Sequence, residues 1–250
     1  MSHNLENPPE EVASAGGLGL QHLPMVITRP AAVFSRAEDT GAYGPALVIM
    51  LALTVLLGYA EVQTGLIDRV VDQQTEQQLA ELEKAQSGVV DRLQLRDAMD
   101  AVRKNGQFMQ TLSRLGAIVL TPMYMLTSFL VISSILYAFV AMSGRKPEWH
   151  TLMSICVYAG VIEIIALVLR LAMMMSWRTT HVDTSLRMLG ELGKPTFWGA
   201  IDPFRIWYWV LIAIGVTTTR QLSRRAAIAS ALTLFLLSTG ARIGLEYLMT

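Results

Sequence analysis

Long apolar runs constrain this chain more than any other feature of its sequence. Residues 43–62 read YGPALVIMLALTVLLGYAEV and carry no charged side chain before Glu61. About 20 such residues in a helix cross a hydrocarbon core of about 30 Å. Only 16% of the 250 residues are charged and 52% are hydrophobic, whereas a soluble domain carries about 25% charged residues. The sequence therefore predicts an all-α, polytopic membrane protein.

Five apolar segments are counted as transmembrane spans. They occupy about residues 43–62, 115–142, 151–176, 204–219 and 226–248. Residues 1–23 are polar and contain several Gly, Pro and Glu residues, a composition that predicts a disordered tail. The transmembrane domain is expected to extend over residues 24–248.

Basic residues in the short links between spans predict the orientation. Residues 143–150 contain Arg145 and Lys146, and residues 220–225 contain three arginines. Short loops rich in Lys and Arg stay in the cytoplasm. Both links then lie on the cytoplasmic side together with the N-terminal tail. We expect a multi-pass protein of the cell inner membrane with a cytoplasmic N-terminus.

The segment before the first span contains a short amphipathic stretch. Pro30 fits the first turn of a short helix, where its missing N–H costs nothing. Val33 and Phe34 can enter the membrane interface while Arg29 and Arg36 stay at the headgroups. An ordinary turn before the membrane is the alternative interpretation.

Residues 63–114 form the only sizeable polar region of the chain. They are rich in Glu, Gln, Leu, Ala and Lys, which favour helix. The pair Ser87-Gly88 indicates a break between two helices. The segment is predicted to be an extracytoplasmic helical loop, either a hairpin or a continuation of the flanking spans. It is either a solvated loop without a partner or a surface that packs on another extracytoplasmic domain.

The sequence gives no support to several classes of function. The formal net charge is zero, so no basic stripe is predicted for nucleic acid. A single cysteine, Cys156, excludes an intramolecular disulfide and a cysteine-based zinc cluster. The sequence holds no phosphate-binding, dinucleotide-binding or serine-hydrolase motif. We predict no enzymatic activity, no metal and no cofactor.

Charged residues within the spans are the candidate functional residues, because polar groups inside a bilayer are costly. Glu163 lies midway along the third span and Arg170 follows seven residues later. Arg242 and Glu246 lie in the fifth span. With Glu61, all of them except Glu163 fall toward the outer third of the membrane, where an ion-paired cluster can form. Glu163 is either a proton or substrate site or a polar contact between helices.

Two stretches resemble the Yip1 domain family. Residues 202–216, DPFRIWYWVLIAIGV, with SRRA at 223–226, are similar to the signature of its fourth span. Residues 144–152, GRKPEWHTL, with CVYA at 156–159, resemble the turn into its third span. The resemblance covers about residues 24–248, although Gly160 and Val161 stand where that family often has a proline. The motif residues are Asp202, Pro203, Phe204, Trp207 and Gly215, to which we assign span anchoring and helix packing.

The resemblance implies a five-span membrane protein with a cytoplasmic N-terminus and no agreed catalytic residues. Eukaryotic members of that family act in vesicle trafficking and contact Rab GTPases, and some bacterial members are linked to ABC-type export systems. We therefore expect a non-enzymatic scaffold or accessory subunit of a membrane complex, with the lipid bilayer and a membrane protein such as an ABC-type exporter as partners. The alternative is a small transporter or channel that uses Glu163 and Arg170.

Overall fold

The computed structural model describes residues 18–37, 41–86, 92–177 and 202–249, and within these ranges it contains helices and no strand. A single turn of 3-10 helix, Leu20–His22, precedes two short helices. The α-helices are α1 Met25–Thr28, α2 Pro30–Phe34, α3 Gly44–Gln63, α4 Leu66–Gln86, α5 Arg92–Leu115, α6 Thr121–Met142, α7 Trp149–Ala159, α8 Val161–Trp177, α9 Pro203–Thr218 and α10 Arg224–Met249. The turn of π-helix Gly116–Leu120 joins α5 to α6. The predicted all-α class is confirmed for the described residues.

A helix occupies each of the five predicted spans. Among the described residues, three helices are long and apolar enough to cross a membrane: Gly44–Gln63, Leu95–Met142 and Trp149–Trp177. Pro203–Thr218 is a shorter apolar helix. The second of the three is 48 residues long, because the polar α5 continues through the π turn into the apolar α6. By length and composition, these three helices are candidate membrane spans.

The core of the bundle is centred on α7. Every residue from Thr151 to Gly160 is buried, and α7 packs on α3, α6 and α9. Gly160 separates α7 from α8 and is closely packed by side chains of α3 and α6. A Cβ atom there would lie 2.4 Å from Cζ of Phe129 and 2.9 Å from Cε of Met50. The absence of a side chain at Gly160 therefore lets α3 and α6 approach the middle of the third predicted span.

The segment that precedes the first span packs inside the bundle. Val33 and Phe34 of α2 are fully buried and α2 lies against α9, so the prediction that they enter the lipid interface is wrong. Leu18, which falls within the predicted tail, is also buried. The hydroxyl of Tyr158 donates to the carbonyl of Gly19 over 3.2 Å. Residues 1–17 of the predicted tail lie outside the described residues.

Two antiparallel helices, α4 and α5, form a hairpin in the region 63–114. Gly65, with φ of 66°, adopts the left-handed conformation that glycine tolerates best and lets the chain turn from α3 into α4. Arg114 of α5 donates two hydrogen bonds to Asp68 of α4, at 2.8 and 2.6 Å. These bonds hold the pKa of Asp68 below its usual value. The predicted break at Ser87-Gly88 lies outside the described residues.

The two basic links lie at the same end of the bundle. The guanidinium of Arg145 donates to the backbone carbonyl of Arg220. Gln221, which is buried, donates from Nε2 to Oε2 of Glu148 over 2.9 Å. These contacts join the link between α6 and α7 to the link between α9 and α10. The positive charges from which the orientation was predicted therefore share one end.

Candidate functional site

The charged residues of the described spans lie in two separate places. Glu163 is half-buried in the first turn of α8, directly after the break at Gly160. The charged groups that act on it electrostatically are Arg205 and Asp202, both at the start of α9. This start of α9 thus places a cation and an anion near the carboxyl group of Glu163. We call Glu163, Arg205, Tyr208 and Cys156 the inner polar cluster.

Tyr208 contributes a buried hydroxyl to the inner polar cluster. Its side chain is 2% exposed, and the hydroxyl has no hydrogen-bond partner among the described residues. Both Glu163 and Cys156 lie within electrostatic range of it. A buried hydroxyl without a partner costs about 1–3 kcal/mol, and such groups in a native structure indicate strain, a function or an ordered water. The inner polar cluster is therefore the first candidate site.

Arg170 lies in a different environment from Glu163. It lines a small cleft together with Glu61 and Thr54 of α3, and with Thr121 at the start of α6. Seven residues of helix separate Glu163 from Arg170, about 10 Å along the axis of α8. Glu163 interacts with the start of α9, and Arg170 faces the cleft. The structure therefore does not bring the two residues of the predicted transport site together.

The predicted cluster in the outer third is seen only in part. Glu61 and Arg170 share the cleft. Arg242 and Glu246 belong to α10, but their side chains lie outside the described residues. The cleft is consequently defined by one acidic and one basic side chain from neighbouring helices. It is the second candidate site.

The motif residues of the fourth predicted span begin and pack α9. Asp202 caps the helix, because its Oδ1 accepts a hydrogen bond of 2.9 Å from the backbone N–H of Phe204. Pro203 occupies the first helical position, where a proline loses no hydrogen bond. A Cβ atom at Gly215 would lie 2.5 Å from Cγ2 of Ile155. Phe204 packs against the core and Trp207 stays exposed.

Two features of these sites were not found by sequence reasoning. The first is Tyr208, which the structure buries within electrostatic range of Glu163. The π turn Gly116–Leu120 carries no distinctive sequence pattern. A signal for its position is Gly58 on the facing helix, where a Cβ atom would lie 2.2 Å from the carbonyl oxygen of Ala117. π-Helical turns inside α-helices are frequent at functional sites.

No group of three or more His, Cys, Asp or Glu side chains in the described part of the chain is arranged to hold a metal ion. The only cysteine, Cys156, is fully buried in α7.

Comparison with known proteins identifies the family. The sequence model of the Yip1 domain matches residues 25–241, which include both candidate sites. No curated protein and no solved structure matches the chain. Because the match covers most of the sequence, this chain belongs to the Yip1 domain family, a family of membrane proteins that is not known to be enzymatic.

Proposed function

We propose that this protein is a non-enzymatic accessory subunit of a complex in the cell inner membrane, and that it docks a partner membrane protein along the outer face of α5 and α6. One observation carries the proposal. Large apolar side chains are exposed on α5, with Phe108 63% and Leu112 43% exposed. They lie away from the face that carries Arg114 and contacts α4. We call Phe108, Met109, Leu112 and Leu115 the α5 apolar face.

The position of the α5 apolar face favours a partner that is itself a membrane protein. Phe108 and Leu112 precede the predicted span by seven and three residues, which is about 5 to 10 Å of helix. Exposed apolar residues continue without a break through the π turn to Met123 and Tyr124 on α6. Lipid covers such a surface only within the bilayer. A partner helix that crosses the bilayer and projects beyond it matches the whole length of the surface.

The hairpin supports this role because it holds the α5 apolar face in place. Gln110 donates to Asp72 over 2.6 Å, and Arg114 is bonded to Asp68. A Cβ atom at Gly106 would lie 2.5 Å from Oγ1 of Thr75, so the two helices pack closely there. A surface held in one orientation loses little conformational entropy when it binds.

Photo-cross-linking tests the proposal. A photoreactive amino acid replaces Leu112 in the full-length protein in cells, and another replaces Gln73, an exposed residue of α4, as the matched control. We expect an adduct with one integral membrane protein from position 112 and none from position 73. The adduct should re-form when the two purified proteins are combined in vesicles, and Phe108→Glu should abolish it while Gln107→Glu should not. An adduct with a second copy of the chain, or with lipid alone, would refute the accessory role.

A transport function is the second candidate, and the inner polar cluster is the observation that favours it. Glu163 follows a helix break, and the hydroxyl of Tyr208 beside it has no hydrogen-bond partner in the part of the chain that the structure describes. A carboxyl group and an unsatisfied hydroxyl are the parts that a proton pathway uses. The test is proton flux into vesicles under an imposed membrane potential. Glu163→Gln should abolish the flux and Glu76→Gln, on the exposed surface of α4, should preserve it. Flux no greater than in protein-free vesicles excludes this candidate.

A further inference from the structure

The cleft between α3, the π turn and α8 contains two opposite charges that are not in contact with each other. Glu61 and Arg170 both line it, and neither forms an ion pair within the described residues. Two opposite charges in one small cleft would normally close on each other in a low-dielectric environment, since their attraction is strongest there. Neither charge is neutralised by an ion pair within the described residues, so both are available to a ligand that carries one charge of each sign.

The backbone geometry keeps the cleft open. Gly58 of α3 packs directly on the π turn, because a Cβ atom there would lie 2.2 Å from the carbonyl oxygen of Ala117. At the π turn, the hydroxyl of Thr121 lies 3.5 Å from the carbonyl of Gly116, five residues earlier. α3 also packs on α8. The cleft therefore has α3 as its floor, with the π turn and α8 as its walls.

The outer end of the cleft is closed by apolar packing. Met174 lines the cleft and also packs with Leu66, at the start of α4, in a small buried cluster. Arg170, one turn earlier on α8, is exposed. A ligand therefore reaches the two charges from the side of the bundle, between helices, and not from the hairpin above.

The lining of the cleft is amphipathic in the way that a lipid requires. Its charged groups are Glu61 and Arg170, and apolar side chains complete it: Leu57, Leu167, Leu171 and Met174. Thr54 lies two turns of α3 below Glu61, about 10 Å along the helix axis, and its hydroxyl is already bonded to the carbonyl of Met50. The lower part of the cleft thus presents methyl groups and no free donor. That order matches a headgroup above and an acyl chain below.

We propose that this cleft binds a zwitterionic phospholipid with a primary amine, with Arg170 on the phosphate and Glu61 on the ammonium group. The guanidinium of arginine presents a fork of N–H donors that suits phosphate oxygens. A primary ammonium donates up to three hydrogen bonds and a carboxylate only accepts them. A quaternary ammonium headgroup has the same charge and no N–H to donate. An anionic headgroup without an amine leaves Glu61 unpaired and repelled.

Native mass spectrometry of the full-length protein in detergent tests the site. The delipidated protein is titrated with phosphatidylethanolamine, phosphatidylcholine or phosphatidylglycerol of identical acyl chains. We expect phosphatidylethanolamine to bind about tenfold more tightly than either of the others, because one charge-assisted hydrogen bond contributes about 1.5 kcal/mol or more. Equal binding of the ethanolamine and choline lipids by the wild-type protein would overturn the proposal without recourse to any variant.

Variants test whether the preference for phosphatidylethanolamine arises in the cleft. Glu61→Gln and Arg170→Gln should each reduce the preference to about twofold or less. Glu76→Gln and Arg69→Gln, the same changes on the exposed face of α4, should leave it intact. Water-soluble phosphoethanolamine, added to the wild-type protein, should not compete at concentrations equal to the lipid. Competition by the free headgroup would show a water-soluble ligand and refute entry from the lipid.

Discussion

The contact between Gly58 and the π turn gives the sharpest test of the packing. In Gly58→Ala the new methyl group would lie 2.2 Å from the carbonyl oxygen of Ala117 and 2.8 Å from its carbonyl carbon. Ordinary contact starts at 3.4 Å. A backbone carbonyl cannot rotate away as a side chain can, so α3 must move from the π turn. The gap that then opens between α3 and the π turn also weakens the dispersion contacts between the atoms on its two sides.

The expected change in the free energy of unfolding is the difference between two opposing effects. Overpacking of a filled interior costs about 1–3 kcal/mol, and the backbone obstacle places this site at the upper end of that range. Replacing a helical glycine by alanine returns about 1 kcal/mol. We therefore expect Gly58→Ala to lower the free energy of unfolding by about 2 kcal/mol, roughly a thirtyfold change in the ratio of folded to unfolded protein.

Unfolding of the purified protein in mixed micelles, followed by circular dichroism, measures this effect. Gly116→Ala is the matched control, because it lies in the π turn itself and its new methyl group would meet only Cδ1 of Leu120, at 3.7 Å. That control should equal the wild type or exceed its stability by up to about 1 kcal/mol. A folded Gly58→Ala protein that is as stable as the control would refute the close approach of α3 to the π turn.

Three further predictions concern the hairpin, the basic end and the orientation. Because Arg114 holds the folded-state pKa of Asp68 below the unfolded value, their ion pair stabilises the hairpin above the unfolded pKa of about 3.9, and its contribution is lost as the pH falls through the folded value. In acid unfolding curves, the stability difference between wild type and Asp68→Asn should accordingly shrink as the pH falls below about 3.9. Gln221→Leu removes the hydrogen bond to Glu148 and should lower the free energy of unfolding in detergent by about 1–3 kcal/mol. An unchanged midpoint of thermal unfolding would show that this hydrogen bond is not formed. In intact cells a membrane-impermeant thiol reagent should label Gln73→Cys and not Ser223→Cys, and the reverse pattern would overturn the proposed orientation.

Sequence patterns located the helices because the relevant property is local. A run of apolar residues specifies a buried or lipid-facing helix wherever it lies in the chain, so a helix occupies each of the five predicted spans. Helix propensity likewise predicted the helices of residues 63–114, either as a hairpin or as a continuation of the flanking spans. It did not predict their fixed pairing, because the bonds from Arg114 to Asp68 and from Gln110 to Asp72 join residues about 40 positions apart.

Contacts between distant segments could not be predicted. Val33 and Phe34 have the spacing of an interfacial helix, and the same spacing suits a helix buried against α9, since both environments are apolar. Whether they face lipid or protein depends on Gly215, where the missing side chain leaves room: Cδ2 of Phe34 lies 3.3 Å from the position of an added Cβ. Likewise the charges of α8 were predicted to act together from their spacing. The start of α9 and the cleft, which separate Glu163 from Arg170, are contributed by other parts of the chain.

The hydroxyl of Tyr208 distinguishes a structural inner polar cluster from a functional one. It is buried and has no hydrogen-bond partner within the described ranges. Tyr208→Phe therefore keeps the ring and its edge-to-face contact with Trp209, with ring centroids 5.4 Å apart, while it removes a desolvated group. If the cluster serves only to pack helices, the variant should be more stable than wild type by about 1 kcal/mol or more, and cross-linking at the α5 apolar face should not change. If the hydroxyl takes part in a proton pathway, the variant should fold equally well and lose flux in vesicles. A less stable variant would contradict the burial of an unpaired hydroxyl, because only a bonded group is costly to remove.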